Sequence, residues 1–177
     1  SLASHEAKSL VIARQRLVHI KQNLVNLIRG LLKPFGILTG RLGSSRFDAR
    51  VRELAGDRPT LLAALDPLLT IRLRILDEIQ LLDEQLLGLA EDDEICRRLM
   101  TIPGVGHLTA RTFMAVIDDP GRFHSSQEVG AYLGLVPRRW QSGQVDQAGR
   151  ITRCGDGLLR HLLYECEIGR ASCRERV

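Results

Sequence analysis

Leu10, Ala13, Leu17, Ile20, Leu24, Leu27 and Leu31 step along the start of the chain by alternating intervals of three and four. A period of 3.5 residues is that of a helix laid lengthwise against another helix, and no strand keeps such a stripe on one side. Lys8, Arg14, Arg16, Lys21 and Arg29 fall off the stripe. The spacing predicts a helix over 3–33, which Pro34 and Gly36 stop, and a Gly- and Ser-rich loop over 39–45. A short basic helix over 48–55 follows, and Gly56 and Pro59 break the chain again.

A second stripe runs through Leu65, Leu69, Leu73, Leu76, Ile79, Leu82, Leu86 and Leu89. It predicts a helix over 60–90, with Asp66-Pro67 as an N-cap and first-turn pair at which the helix restarts or kinks. Two leucine-faced helices joined by a loop imply an antiparallel hairpin or a coiled-coil arm. Their apolar faces serve either internal packing or a homo-oligomer.

Aromatic residues make up only 4% of the chain, which favours helix-on-helix packing over a β-sandwich. The predicted fold class is therefore mainly α: a long helical hairpin or coiled-coil arm followed by a small helical domain. Four segments are expected. Residues 1–57 hold the first long helix and the basic helix, 58–91 the second long helix, 92–167 the small domain, and 168–177 a tail.

No run approaches 18 uninterrupted apolar residues, so no membrane span is expected, and a cytoplasmic location follows by default. The formal net charge of +4 permits an anionic partner without specifying one. Cys96, Cys154, Cys166 and Cys173 never fall into a C-x-x-C pair or a zinc spacing, and read as reduced bystanders. Residues 168–177 break the preceding helical pattern and resemble a translated sequencing adapter. Setting that tail aside halves the net charge to +2.

Residues 92–167 have a different texture, with short helices expected over 93–100, 108–117, 126–133 and 157–167. The Gly-punctuated stretch from Pro137 to Cys154 reads as a loop or a small β-hairpin. Between the first two short helices lies Thr101-Ile102-Pro103-Gly104-Val105-Gly106, a turn like that of helix-hairpin-helix DNA-binding modules. Gly104, Val105 and Gly106 can bring backbone N–H groups close to a phosphate at the start of the next helix, and such contacts hold nucleic acid without reading its sequence. Asp92-Asp93-Glu94 and Asp118-Asp119 are acidic, but neighbours on one turn do not converge on a metal, so capping or solvated charge is expected of them. No metal-binding residue is assigned.

The block from Val129 to Gly143 reads VGAYLGLVPRRWQSG, and Gly149-Arg150-Ile151-Thr152-Arg153 follows it. With the upstream Ile-Pro-Gly-Val-Gly turn and Asp118-Asp119-Pro120, this order resembles the C-terminal domain of insertion-sequence transposases of DEDD type, the bridge-RNA-guided serine recombinases of mobile elements. The similarity extends at varying strength over residues 1–167.

The resemblance implies a two-part enzyme. An N-terminal RuvC-like domain, preceding Ser1, would hold Mg2+ on four acidic residues, and no Mg2+ would be bound by the residues present here. Ser142 of the Ser-Gly motif would be the catalytic nucleophile that becomes joined to DNA. A guide RNA and the DNA of element ends and target would be the partners, with subunits assembling into a complex in the bacterial nucleoid. Arg138, Arg139, Arg150, Arg153 and Arg160 would grip phosphates or stabilise charge in the phosphoryl transition state. Arg153 stands where the family commonly has lysine. Trp140 suits either packing or stacking on a base. The basic character of the first helices also fits an RNA contact. The alternative is a non-catalytic helix-hairpin-helix module with the long helices as a dimerisation arm.

Overall fold

A computed structural model of the chain describes residues 2–40, 42–142 and 145–174, with the side chains of 3, 145 and 168–174 outside that description. The described residues are mainly α, with one small antiparallel sheet. Helix α1 is Leu2–Leu32, followed by a single 3-10 turn over Lys33–Phe35. Helix α2 is Ser44–Ala55, α3 is Pro59–Glu91, α4 is Glu94–Met100 and α5 is His107–Ile117. After a second 3-10 turn over Pro120–Arg122 come α6 (Ser126–Tyr132), β1 (Pro137–Ser142), β2 (Val145–Ile151) and α7 (Gly157–Arg174). The chain divides into two compact units, residues 12–84 and residues 1–11 with 85–177.

In the first unit α1 and α3 run antiparallel. Ile28 and Leu32 of α1 meet Leu65 and Leu69 of α3 in one core, which α2 closes with Phe47, Val51 and Ala55. Towards the other end Arg14 grips Asp83 through two bonds, Nε to Oδ1 at 2.8 Å and Nη2 to Oδ2 at 3.1 Å. Residue numbers of facing positions therefore fall along α1 as they rise along α3, and the expected hairpin is present.

The inward face takes in only part of the stripe the leucines marked: Leu10, Leu17 and Leu24 are half-buried. Ile20, Leu27 and Leu31 are exposed, whereas the buried Ile28 and Leu32, one residue further on than Leu27 and Leu31, lie in the core with the half-buried Val25 against them. Both stripes have the same 3.5-residue period, but Arg14 and Lys21 interrupt the inner one. Arg14 can occupy an interior position because Asp83 neutralises it while its aliphatic stem lies along apolar surface. Along α3, Leu65, Leu69 and Ile79 are buried as expected, but Leu73 is exposed and Arg72 takes the interior position beside it.

Arg72 joins α2 to α3. It pairs with the Asp48 carboxylate, donates to Ser44 O at 3.0 Å and to Ser44 Oγ at 2.7 Å, and stacks on the Phe47 ring at 4.9 Å. Its side chain is 2% exposed and that of Asp48 is 8% exposed, so either one without the other would be a stranded buried charge. The helix does not restart at Asp66-Pro67. Pro67 lies inside a continuous α3, and Asp66 instead pairs with Arg52 at 2.9 Å.

In the second unit Ala90, Cys96 and Ala110 form one small core, with Leu99, Met100, Val105 and Met114 around it. Val116, Ile117, Leu133 and Leu159 form another, which Phe113, Phe123, Val129 and Leu163 surround. Helix α5 contributes one end to each. Helices α4, α6 and α7 start at side-chain caps: Asp93 accepts from the amides of Ile95 and Cys96, Ser125 from Glu128, and Asp156 from Leu158 and Leu159. Helix α7 continues to Arg174, past Ile168 where the pattern was expected to break. The final three residues of the expected tail lie outside the described residues. Cys96, Cys154 and Cys166 are free thiols, and the Cys173 side chain is outside the description.

Candidate nucleic-acid interface

Two local structures carry the expected site residues, and both belong to the second unit. The first is the turn between α4 and α5. Gly104 has φ 88°, a left-handed conformation open to glycine, and this lets the chain reverse between the helices. Val105 is half-buried against the Cys96 and Ala110 core and holds the turn down. Gly106, exposed like Gly104, precedes α5 and supplies no side-chain cap to the first amides of that helix. Gly106 itself has an ordinary extended backbone.

The second is the β1–β2 hairpin, which resolves the expected choice between loop and hairpin. The strands pair antiparallel with Arg139 opposite Ala148, Trp140 opposite Gln147, Gln141 opposite Asp146 and Ser142 opposite Val145. Ser142 is thereby at the tip, exposed, with its neighbour Gly143 outside the described residues. Every residue of β1 is exposed. A two-stranded ribbon with no buried face is held only at its base, where Thr152 N donates to Val136 O at 2.9 Å and Arg153 N to Gly134 O at 3.0 Å. Gly134 has φ +69°, and a Cβ there would lie 2.5 Å from Cys154 N, so only glycine allows the two segments to meet.

The five expected arginines are not equivalent. Arg138, Arg139 and Arg150 lie on the hairpin and Arg153 at its base, all exposed. Arg138 donates to Thr152 O at 3.3 Å, and Arg139 has only a long contact with Asp146 at 3.8 Å. Arg160 is different: partly buried on α7, it donates to Leu133 O at 2.9 Å and ties α7 to the end of α6. Beside it Asp156 pairs with Lys8 at 3.1 Å. Burial opposes ionisation of the Asp156 carboxyl, but the Leu159 amide and the Lys8 ammonium outweigh it and hold the group below the usual carboxylate range.

The acidic neighbours act as caps. Asp93 caps α4 and also pairs with Arg111 at 3.2 Å, and Asp119 accepts from Gly121 N at 2.8 Å. That pair raises a site the sequence reading missed, because Cys96 packs beside it. Burial pushes the Cys96 thiol up, and the nearby Asp93 reinforces the shift against the opposing contact with Arg111. Asp93 and Asp119 are thus committed to amides and, for Asp93, to arginine, and no three acidic, histidine or cysteine side chains converge among the described residues. No helix among those residues is long and apolar enough to cross a membrane.

Residues 96–177 match the model of the family described as "Transposase IS116/IS110/IS902 family". The matched segment contains the turn, the hairpin and α7. Over 168 residues the chain is 34% identical to the transposase for insertion sequence element IS1111A of Coxiella burnetii, covering 92% of this chain and 46% of that protein. Over 154 residues it is 32% identical to the transposase for insertion sequence element IS1328 of Yersinia enterocolitica, covering 86% of this chain and 46% of the other. The chain spans about half the length of these relatives.

Proposed function

On the match of residues 96–177 to the IS116/IS110/IS902 transposase family, we propose that the chain belongs to it and is the DNA-binding and strand-joining part of a longer transposase. Supporting this reading above all is Ser142, exposed at the tip of a ribbon whose other exposed side chains include Arg138, Arg139 and Arg150. The Ser142 hydroxyl attacks the phosphorus of a DNA phosphodiester, and the bond from phosphorus to one deoxyribose oxygen breaks. The serine proton passes to a base, the departing oxygen is protonated, and DNA remains joined to Ser142 as a phosphodiester that a second strand end can attack. The arginines stabilise charge on the non-bridging oxygens. Mg2+ in the longer protein would be held by carboxylates other than those described, and would stabilise the developing charge.

Guide RNA and the DNA of element ends and target are the partners in this reading. RNA would lie along the basic first helices, where Arg16 of α1 and Arg46 of α2 are exposed. Self-association would use the outward leucine stripe, because exposed Ile20, Leu27 and Leu31 on α1 and Ile71 on α3 leave apolar surface uncovered on the hairpin. Alone, the chain binds DNA and does not cleave it.

Ser142→Ala in the longer transposase tests the assignment. Covalent protein–DNA adducts resolved on a denaturing gel should vanish while binding stays nearly intact, and undiminished adducts would remove Ser142 from the chemistry. A binding module without catalysis is a second reading, which the uncapped start of α5 favours. There adducts would be absent from the parent as well, and replacing Gly104 would weaken binding.

A further inference from the structure

Trp140 is the one tryptophan in the sequence, and it is 58% exposed in the middle of β1. Its six-membered ring lies across Gly149 of the neighbouring strand. A Cβ at Gly149 would fall 2.4 Å from Trp140 Cζ3 and 2.8 Å from Cη2, so any other residue would push the ring away. The strand backbone therefore backs one side of the indole and leaves the rest open. In a strand alternate residues share a face, so Trp140 and Ser142 project from the same side, about 7 Å apart along the chain. Gln147, opposite Trp140, shares that face.

An apolar partner would be a poor match for this surface: Ser142 and Gln147 share the face of the indole, Arg138 stands two residues before it on the same strand, and all three are exposed, while Arg139 and Arg150 flank the ribbon from its other face. A planar π system edged by cations matches a nucleotide instead, the base stacking on the ring and its phosphate meeting an arginine. We infer that Trp140, backed by Gly149, is a stacking platform for one unstacked base beside the phosphate that Ser142 attacks. Within a paired duplex no base offers its face, so the platform selects DNA that is single-stranded or opened at the cleavage position. The inference rests on the proposed reaction for its neighbour Ser142, but not for the binding itself.

Because Trp140 is unique, its fluorescence reports on this position alone. The 177-residue chain is titrated with dT12 and with an abasic dT12 of equal charge, following Trp emission and, separately, anisotropy of a label on the DNA. Quenching by dT12 and not by the abasic strand is expected, with Trp140→Ala weakening dT12 binding about tenfold and leaving the abasic strand unaffected. Trp140→Phe should retain most of the binding. Gly149→Ala should reproduce the loss with an unchanged circular dichroism spectrum. Binding of dT12 with no emission change and no effect of Trp140→Ala overturns the platform and leaves the phosphate-binding reading standing. Failure of both strands to bind at low salt overturns both.

Discussion

Arginine is spent in opposite ways by three residues of the long-helix unit and by the β1–β2 hairpin. In residues 12–84, Arg14, Arg52 and Arg72 each have a carboxylate within hydrogen-bond distance, and Arg72 lies in the core. In the hairpin, Arg138 and Arg150 are exposed with no ion pair among the described residues, and Arg139 reaches Asp146 only at 3.8 Å. The first set organises helices, whereas the second is available to phosphate. What separates the two sets is an acid placed within reach by the fold.

The sharpest way to break that contrast is to remove the buried partner. Asp48→Ala leaves the Arg72 guanidinium charged in the α2–α3 core and should cost about 3–5 kcal/mol of stability in urea unfolding. Arg138→Ala should cost no more than about 0.5 kcal/mol, as exposed substitutions usually do. Equal costs at the two positions would erase the distinction. Next in size is Gly134→Ala, where positive φ and the approach to Cys154 together should cost about 2 kcal/mol and loosen the hairpin base. Amide exchange at Thr152 and Arg153 measures the loosening, and unchanged protection there would show that the ribbon is seated by other contacts.

The Arg14–Asp83 pair tests why the inner face of α1 is hard to read. Side chains 25% and 32% exposed are partly screened, so Asp83→Asn should cost only about 1 kcal/mol in thermal unfolding. The exchange of both residues, Arg14→Asp with Asp83→Arg, should recover most of it. Without recovery, the pair would not be what holds the two helices at this point.

That pair also explains what the sequence made legible. The long helices, the short ones, the turn at Gly104 and the capping role of Asp93 and Asp119 follow from period, Gly/Pro punctuation and short-range hydrogen bonding. The inward face does not, because two apolar stripes of equal period lie side by side on α1 and the inner one is interrupted by Arg14 and Lys21. The unbroken stripe is only half turned inward, since Asp83, 69 residues away, makes a half-buried Arg14 tolerable on the neighbouring stripe. Arg72 is hidden for the same reason, its partner being on α2. At the interface, the spacing of Ser142 and the arginines was visible along the chain. The withdrawal of Arg160 onto Leu133 O and the seat of Trp140 on Gly149 depend on chain reversals that no local pattern encodes.

Smaller effects should appear in binding rather than folding. Arg138→Ala, Arg139→Ala and Arg150→Ala should each lower the slope of log affinity against log salt by about one unit if each meets one phosphate. Arg72→Lys should leave that slope unchanged. A flat response at the hairpin would return its arginines to solvated charge.

The smallest effect is a pH dependence at the hairpin's support. Asp156 caps α7 and pairs with Lys8, and its carboxyl is held below the usual range despite the cost of burial. A depressed folded value means that folding favours the ionised form. Its contribution is full above the unfolded carboxylate value, about 3.9, and is lost as pH falls through the lower folded one. Asp156→Asn keeps an N-cap acceptor, because asparagine caps helices nearly as well, and removes only the charge. The variant should therefore melt below the parent at pH 6, and the gap should close as pH falls below about 4. A gap that stays constant to pH 3 would assign the contribution to cap geometry, and the ion pair with Lys8 would then add nothing to the seat on which the hairpin stands.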